Sequence, residues 1–252
     1  MAQFDNRYAV AGSATRTGAA VDAGLRSYML GVYNYMAAGV ALTGIVAYLV
    51  SSAAMVERVG GKVALTPFGN MIYNTPLKWV IMLAPLAFVF FLSFRIYKMS
   101  VPAAQISFWL FAAVMGLSLS TIFLVFTGQS ITRVFFITAA AFAALSLYGY
   151  TTKKDLSGWG TFLVMGVIGL IIAAIVNIFL QSTALQFAIS ALGVLIFAGL
   201  TAYDTQQIKD NYYEIAGDAT MLAKGAIMGA LNLYLDFINM FTSMLQLFGD
   251  RE

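Results

Sequence analysis

Two aspartates stand where an ionisable group is expensive to keep. Asp236 lies in the middle of an otherwise uncharged stretch, LNLYLDFINMF, and Asp204 closes another in LTAYDTQQIK. A carboxylate inside a membrane-spanning helix costs about 2.5–3.5 kcal/mol on insertion scales, and such residues mark ion paths and proton relays. Around Asp236, the residues Gly225, Gly229, Asn232, Asp236, Asn239, Ser243 and Gln246 recur at alternating steps of four and three. That spacing lays these small and polar side chains on one helical stripe. It leaves Leu231, Leu233, Leu235, Phe237, Ile238, Met240, Phe241 and Leu245 on the other faces, free to meet lipid or packed neighbours. Plain helix packing also uses small residues and amides. It does not account for the acid, because an asparagine would offer hydrogen bonds at lower cost. A weaker stripe of Gln186, Ser190, Gly193, Thr201, Asp204 and Gln207 carries Asp204, which Lys209 nearby could equally make a simple interfacial acid. The two acids meet if helix continues past Gln206 before the chain turns back. Close together and poorly solvated, they would titrate as a pair that shares a proton.

The elements that hold these residues follow from composition. Of 252 residues, 61% are hydrophobic and only 10% charged, against about 25% in soluble domains, so the chain cannot cover a soluble surface. With no cysteine and no histidine, disulfides, thiol nucleophiles, serine–histidine triads and histidine metal sites are excluded. Charge-free intervals of 30 residues at Ser27–Val56, 16 at Trp79–Phe94, 34 at Met99–Thr132 and 19 at Val134–Thr152 each predict one span. Leu156–Tyr203 runs for 48 residues, enough for two spans turning at Gln181–Ser182–Thr183, and Gly225–Gly249 is a seventh interrupted by Asp236. The fold class is therefore all-α: a polytopic membrane protein of seven transmembrane helices, with residues 1–26 a solvated tail and 27–249 one transmembrane domain. The long connections are Ser52–Pro76 and the polar Thr205–Lys224. With the N-terminus inside, nine Lys and Arg fall on the inner side and five on the outer, which favours a cytoplasmic N-terminus and an external C-terminus. Asn34 and Asn177 read as interhelical hydrogen-bonding groups, and Arg95, ending the second span, as an anchor snorkelling to the interface. Basic residues are scattered among loops, and no nucleic-acid stripe appears.

At AYDTQQIK, LNLYLDFINMF and LYGYTTKKDLS (Leu147–Ser157) the sequence resembles the Bax inhibitor-1 family of membrane proteins, its bacterial inner-membrane branch in particular. The resemblance covers the chain from about Leu30 to Gly249. It implies six helices packed around a central seventh, and a pH-sensitive calcium leak channel in which Asp204 and Asp236 share a site responding to proton and calcium. It also implies that Arg95 can latch the acid pair. The chain ends Gly-Asp-Arg-Glu and lacks the basic tail of eukaryotic relatives, so nothing carried by that tail transfers.

Calcium requires oxygen ligands, and two carboxylates with the carbonyls of Asn232 and Asn239, supported by Ser243 on the same stripe, offer a weak site. Weak occupancy is what a leak needs. No resident cofactor or enzymatic activity is expected; the partners are the bilayer, calcium and protons. Three other functions remain open. A non-transporting modulator of a membrane protease or another membrane partner would need no ion path. A proton-coupled transporter should show inverted repeats and broken helices, and neither is visible. An intramembrane aspartyl protease pairs Y-D with G-x-G-D, but the second motif here is Leu233-Tyr234-Leu235-Asp236 with no P-A-L after it.

Overall fold

The structure, a computed structural model, describes the backbone of residues 5–59 and 62–251 and the side chains of residues 23–56 and 64–251. The chain runs α1 (Asp5–Ala54), β1 (Met55–Val59), β2 (Lys62–Leu65), α2 (Pro67–Asn74), α3 (Leu77–Arg95), a 3-10 turn (Ile96–Lys98), α4 (Val101–Leu119), α5 (Ile122–Val125), α6 (Gly128–Thr151), α7 (Ser157–Leu180), α8 (Thr183–Ile215) and α9 (Ala219–Phe248). Seven segments are long and apolar enough to span: Ala23–Ala54, Leu77–Lys98, Val101–Val125, Gly128–Thr151, Ser157–Leu180, Thr183–Ile215 and Ala219–Phe248. They match the seven expected intervals, and the chain is an integral membrane protein. The backbone of α1 is helical from Asp5, but the solvated tail expected over residues 1–26 falls largely on side chains outside the described residues.

Boundaries follow local chemistry. The α7–α8 turn falls where it was expected. Gln181 takes a left-handed conformation (φ 48°), and Ser182 caps α8 by accepting from the Leu185 N–H. Ser100 and Thr127 cap α4 and α6 in the same way, and Asp218 caps α9 through two backbone N–H groups. Two expectations are corrected. Ser52–Pro76 is an antiparallel hairpin, β1–β2, followed by the short helix α2. Thr205–Lys224 is mostly helix, because α8 continues to Ile215 and α9 starts at Ala219, so the true connection is Ala216–Gly217–Asp218. The polar run was amphipathic helix projecting past the apolar span.

The seventh span is the centre. Over half (56%) of its most apolar stretch is buried, against 6–33% in the other six. Leu231, Leu233, Tyr234, Phe237, Ile238, Met240, Phe241 and Leu245 are all buried. Those apolar faces, which were free to meet lipid on sequence grounds, instead meet the surrounding helices. α9 packs on α8, α1, α6 and α4, while α7, packed on α8, leaves most of its surface outward. Tyr234 fixes α9 against α1 and α4. Its hydroxyl donates to Thr43 Oγ1 (2.6 Å), and Thr43 donates to the Ala112 carbonyl (2.8 Å). The rings of Phe108 and Phe111 stand edge-on to it at 6.1 and 5.5 Å.

Close helix approach rests on small residues. A Cβ on Gly149 of α6 would lie 2.2 Å from the Ala202 carbonyl oxygen of α8, whereas one on Gly44 of α1 would meet nothing within 4 Å. Gly149→Ala is therefore expected to cost about 1–3 kcal/mol by forcing two backbones apart. Gly44→Ala should be neutral or slightly stabilising. Thermal unfolding in detergent checks this, and equal melting temperatures for the two variants would refute the close α6–α8 contact.

Candidate functional site

The antiparallel register of α8 and α9 is set by pairs of glycines with larger side chains. A Cβ on Gly225 would press on Ile215, one on Gly229 on Ile208, and one on Gly193 on Ser243. Within that register Asp204 and Asp236 face each other, their carboxyl groups within hydrogen-bonding reach. A carboxyl–carboxyl hydrogen bond needs a proton on one partner. Asp236 is 4% exposed, and its Oδ2 is buried with no hydrogen-bond partner among the described residues. A buried oxygen in that state calls for a proton, a water or a cation.

Asp204 opens onto a cavity of about 240 Å³ at the α8–α9 turn end of the bundle. Tyr28 of α1, Tyr97 of the 3-10 turn, Gln207, Asn211 and Glu214 of α8, and Asn232 of α9 share its wall. This vestibule exists because α8 runs on past the apolar span. Asn232 stands with Asp204 at its lining, as the stripe placed it. Asn239 lies one turn beyond Asp236 and donates its Nδ2 to the Leu235 carbonyl, leaving its own oxygen free of that bond. Ser243 packs at Gly193, and Gln246 is exposed. No group of three or more acidic side chains able to hold a metal occurs among the described residues. Two carboxylates and amide oxygens can hold calcium in passing but make no high-affinity cage.

The rest of the AYDTQQIK motif points the other way. Tyr33 of α1 donates to Ser146 of α6 (2.6 Å), and Ser146 donates to Thr205 (2.9 Å). Thr205 donates in turn to the Thr201 carbonyl (2.7 Å), which fixes the direction of the whole chain. Gln206 accepts from the Leu156 N–H and donates to the Lys154 carbonyl, while Lys209 donates to the Tyr150 carbonyl. Lys209 thus spends its charge on the end of α6 and over the Tyr150 ring, at 5.7 Å, and not on Asp204. The three sequence motifs are one contact network, with Asp204 the member turned inward.

Arg95 is exposed at the end of α3 and makes no hydrogen bond or ion pair among the described residues. The basic side chain that reaches inward is one the sequence reading treated only as a boundary. Lys224 of α9 is 9% exposed and donates to the Tyr97 carbonyl (3.0 Å), tying α9 to the 3-10 turn that follows α3. The signal was its position one residue before the stripe. Asn177 bonds Gln186 and caps the α7–α8 turn, as an interhelical group should. Asn34 is exposed instead and makes no side-chain hydrogen bond among the described residues.

Seven helices long and apolar enough to cross a membrane, with the most buried of them at the centre, define a polytopic membrane protein. The chain matches the family model described as "Inhibitor of apoptosis-promoting Bax1" over residues 25–252, and it belongs to that Bax inhibitor family. A protein of Caulobacter vibrioides is 47% identical over 249 residues, covering 99% of this chain and 98% of its own. The Rickettsia prowazekii protein RP147 is 46% identical over 233 residues, 92% of each chain. The Escherichia coli inner membrane protein YbhL is 46% identical over 232 residues, 91% of this chain and 94% of YbhL.

The contrast between the two basic residues is testable. Lys224→Met keeps the aliphatic stem but strands the Tyr97 carbonyl, at an expected cost of about 1–3 kcal/mol. Arg95→Gln should stay within about 0.5 kcal/mol of the parent. Thermal unfolding in one detergent measures both, and a larger loss for the Arg95 variant would overturn this assignment of the inner tether.

Proposed function

We propose that the chain is a pH-sensitive calcium leak channel, gated by the Asp204–Asp236 pair and not an enzyme. The observation that carries this proposal is the buried Asp236 oxygen with no donor, set against a second carboxyl that opens into a polar vestibule. With a shared proton the pair is neutral enough to sit in the bundle and holds α8 to α9. Without it, two negative charges at about 4 Å repel by roughly 4 kcal/mol even at an effective dielectric of 20. The pair then separates or takes up a cation, and calcium is the cation that carboxylate and amide oxygens suit. Asp204, Asp236 and Asn232 are the proposed ligands, with Asn239 and Ser243 supporting them along the stripe. Beyond the pair, Phe237, Phe241 and Leu245 pack the bundle closed, which supports reading this arrangement as the shut state. The inner membrane is the proposed location, supported by the name of YbhL, and a cytoplasmic N-terminus is supported by the distribution of Lys and Arg. The vestibule, at the same end of the bundle as the start of the first span, then faces the cytoplasm.

Proton and calcium compete for one site, so the sign of the pH effect on binding is fixed. Calcium binds the deprotonated pair; its affinity is greatest at high pH and falls as acid returns the proton. Purified protein should bind calcium several-fold more tightly at pH 8 than at pH 6. Asp236→Asn should fold, because it removes a buried charge and keeps hydrogen-bonding capacity, yet lose this pH dependence. Equal or tighter binding at pH 6 refutes the shared-proton site. Calcium flux in liposomes whose pH response survives Asp236→Asn refutes the gate.

A further inference from the structure

A second cavity, of about 640 Å³, lies between α1 and α6 and takes no part in the acid site. α1 packs on α4 and α9 while α6 packs on α8 and α9, so the two helices flank a cleft. The Tyr33–Ser146 hydrogen bond bridges its floor. Met29 and Met36 of α1 and Phe142 of α6 line it, and the exposed alanines Ala37 and Ala143 leave it wide. Leu30 and Leu147, 52% and 62% exposed, form its rim, so it opens sideways from the bundle at the depth of the hydrocarbon. At one end stand Arg26, in the first turn of the span, and Tyr150, in the last turn of α6.

An apolar slot of this volume has the dimensions of a small-molecule site rather than of an ion path. From Arg26 to Ala37 it follows α1 for 11 residues, about 16 Å at 1.5 Å per residue. Its one charged lining residue is a guanidinium, whose fork of donors matches phosphate, and a tyrosine beside it is the usual interfacial companion. None of the described lining residues is acidic, and the guanidinium is the one described charge there, which suits an anionic headgroup.

We propose that the α1–α6 cleft binds one acyl chain of an anionic phospholipid, with its phosphate on Arg26. The bound chain lies over the Tyr33–Ser146–Thr205 hydrogen bonds, and the last of these residues is the neighbour of Asp204 on α8. Lipid composition can thereby reach the helix that carries the acid pair. The site stands on its own geometry and does not depend on the leak-channel proposal.

The test is photolabelling of the full chain in phosphatidylcholine vesicles containing a minor fraction of phosphatidylglycerol with a mid-chain diazirine. Adducts are mapped by peptide mass spectrometry. They should concentrate on Met29–Ala37 and Phe142–Leu147, well above the level on the outward faces of α7. Arg26→Gln should cut cleft labelling about fivefold, the effect of losing one basic residue at an anionic surface, and leave α7 labelling unchanged. Ala143→Phe, which fills the slot, should abolish the cleft adducts; if that variant does not fold, the wild-type map and Arg26→Gln still decide. Adducts spread evenly over the bundle would show ordinary boundary lipid and overturn the site. So would equal cleft labelling by a phosphatidylcholine analogue. Loss of the label to a molar excess of palmitate would assign the slot to a free fatty acid and overturn the phospholipid.

Discussion

A carboxyl group placed in the most buried helix of a membrane bundle must find a proton, a donor or a cation, and most of this structure is arranged around that requirement. Asp236 has its Oδ2 without a protein donor and one ionisable neighbour, Asp204. Lipid offers it no hydrogen bond, so a close, in-register pairing between α8 and α9 brings the second acid within its reach. Glycines at 193, 225 and 229 provide the close approach, and each sits against a side chain of the facing helix or the helix ends around it. Tyr234, two residues before Asp236, locks the rotation of α9 through Thr43 and Ala112. With that rotation fixed, Asp236 can only look towards α8.

The other half of the arrangement holds α8 still. Asp204 turns inward, while Thr205, Gln206 and Lys209 each bond to α6 or to the loop after it. Consecutive residues of one motif therefore serve opposite sides of the helix. The consequence is mechanical. In the proposed channel, a change in the charge of the acid pair pushes on a helix whose far side is held by hydrogen bonds worth about 1 kcal/mol where both partners are neutral and about 1.5–3 kcal/mol at the Lys209 ammonium. Repulsion between two ionised carboxylates, roughly 4 kcal/mol, is larger than any single one of these bonds.

How much of this was legible in the sequence depended on whether the signal was local. Charge-free intervals gave all seven spans, and the turn at Gln181–Thr183 followed from the length of one such interval, because insertion cost is nearly additive along the chain. The stripe carrying Asp236 was visible for the same reason. The centrality of α9 was not: periodicity separates polar from apolar faces, but in a membrane an apolar face suits lipid and protein alike. Only family resemblance supplied the central helix. The length of α8 stayed open on sequence grounds, since a polar stretch past a span reads equally as loop or as helix; α8 does continue past Gln206, to Ile215, and lines the vestibule. Arg95 and Lys224 show the same limit. Both are basic residues near the ends of spans, and nothing in their sequence setting says that one is exposed while the other donates to a carbonyl inside the bundle.

The two ends of the bundle differ in a way that bears on the acid pair. At the α8–α9 turn, polar residues line an opening that reaches Asp204. At the opposite end the chain closes on itself. Asp250 accepts from the Thr127 N–H and donates its own N–H to Ser130, and Phe126 pairs with Arg251 across an isolated bridge. The Arg133–Asp250 ion pair there is more than half exposed and adds little to stability. The backbone bonds are what hold that corner. Between it and Asp236 lie Phe237, Phe241 and Leu245, all buried and all without a polar atom to solvate an ion. Among the described residues the opening that reaches Asp204 is at the turn end, while Asn239 and Ser243 continue the polar stripe towards the other end. In the proposed channel, passage across the membrane requires Phe237 and Phe241 to move aside, so the charge of the pair and the packing of these rings change together.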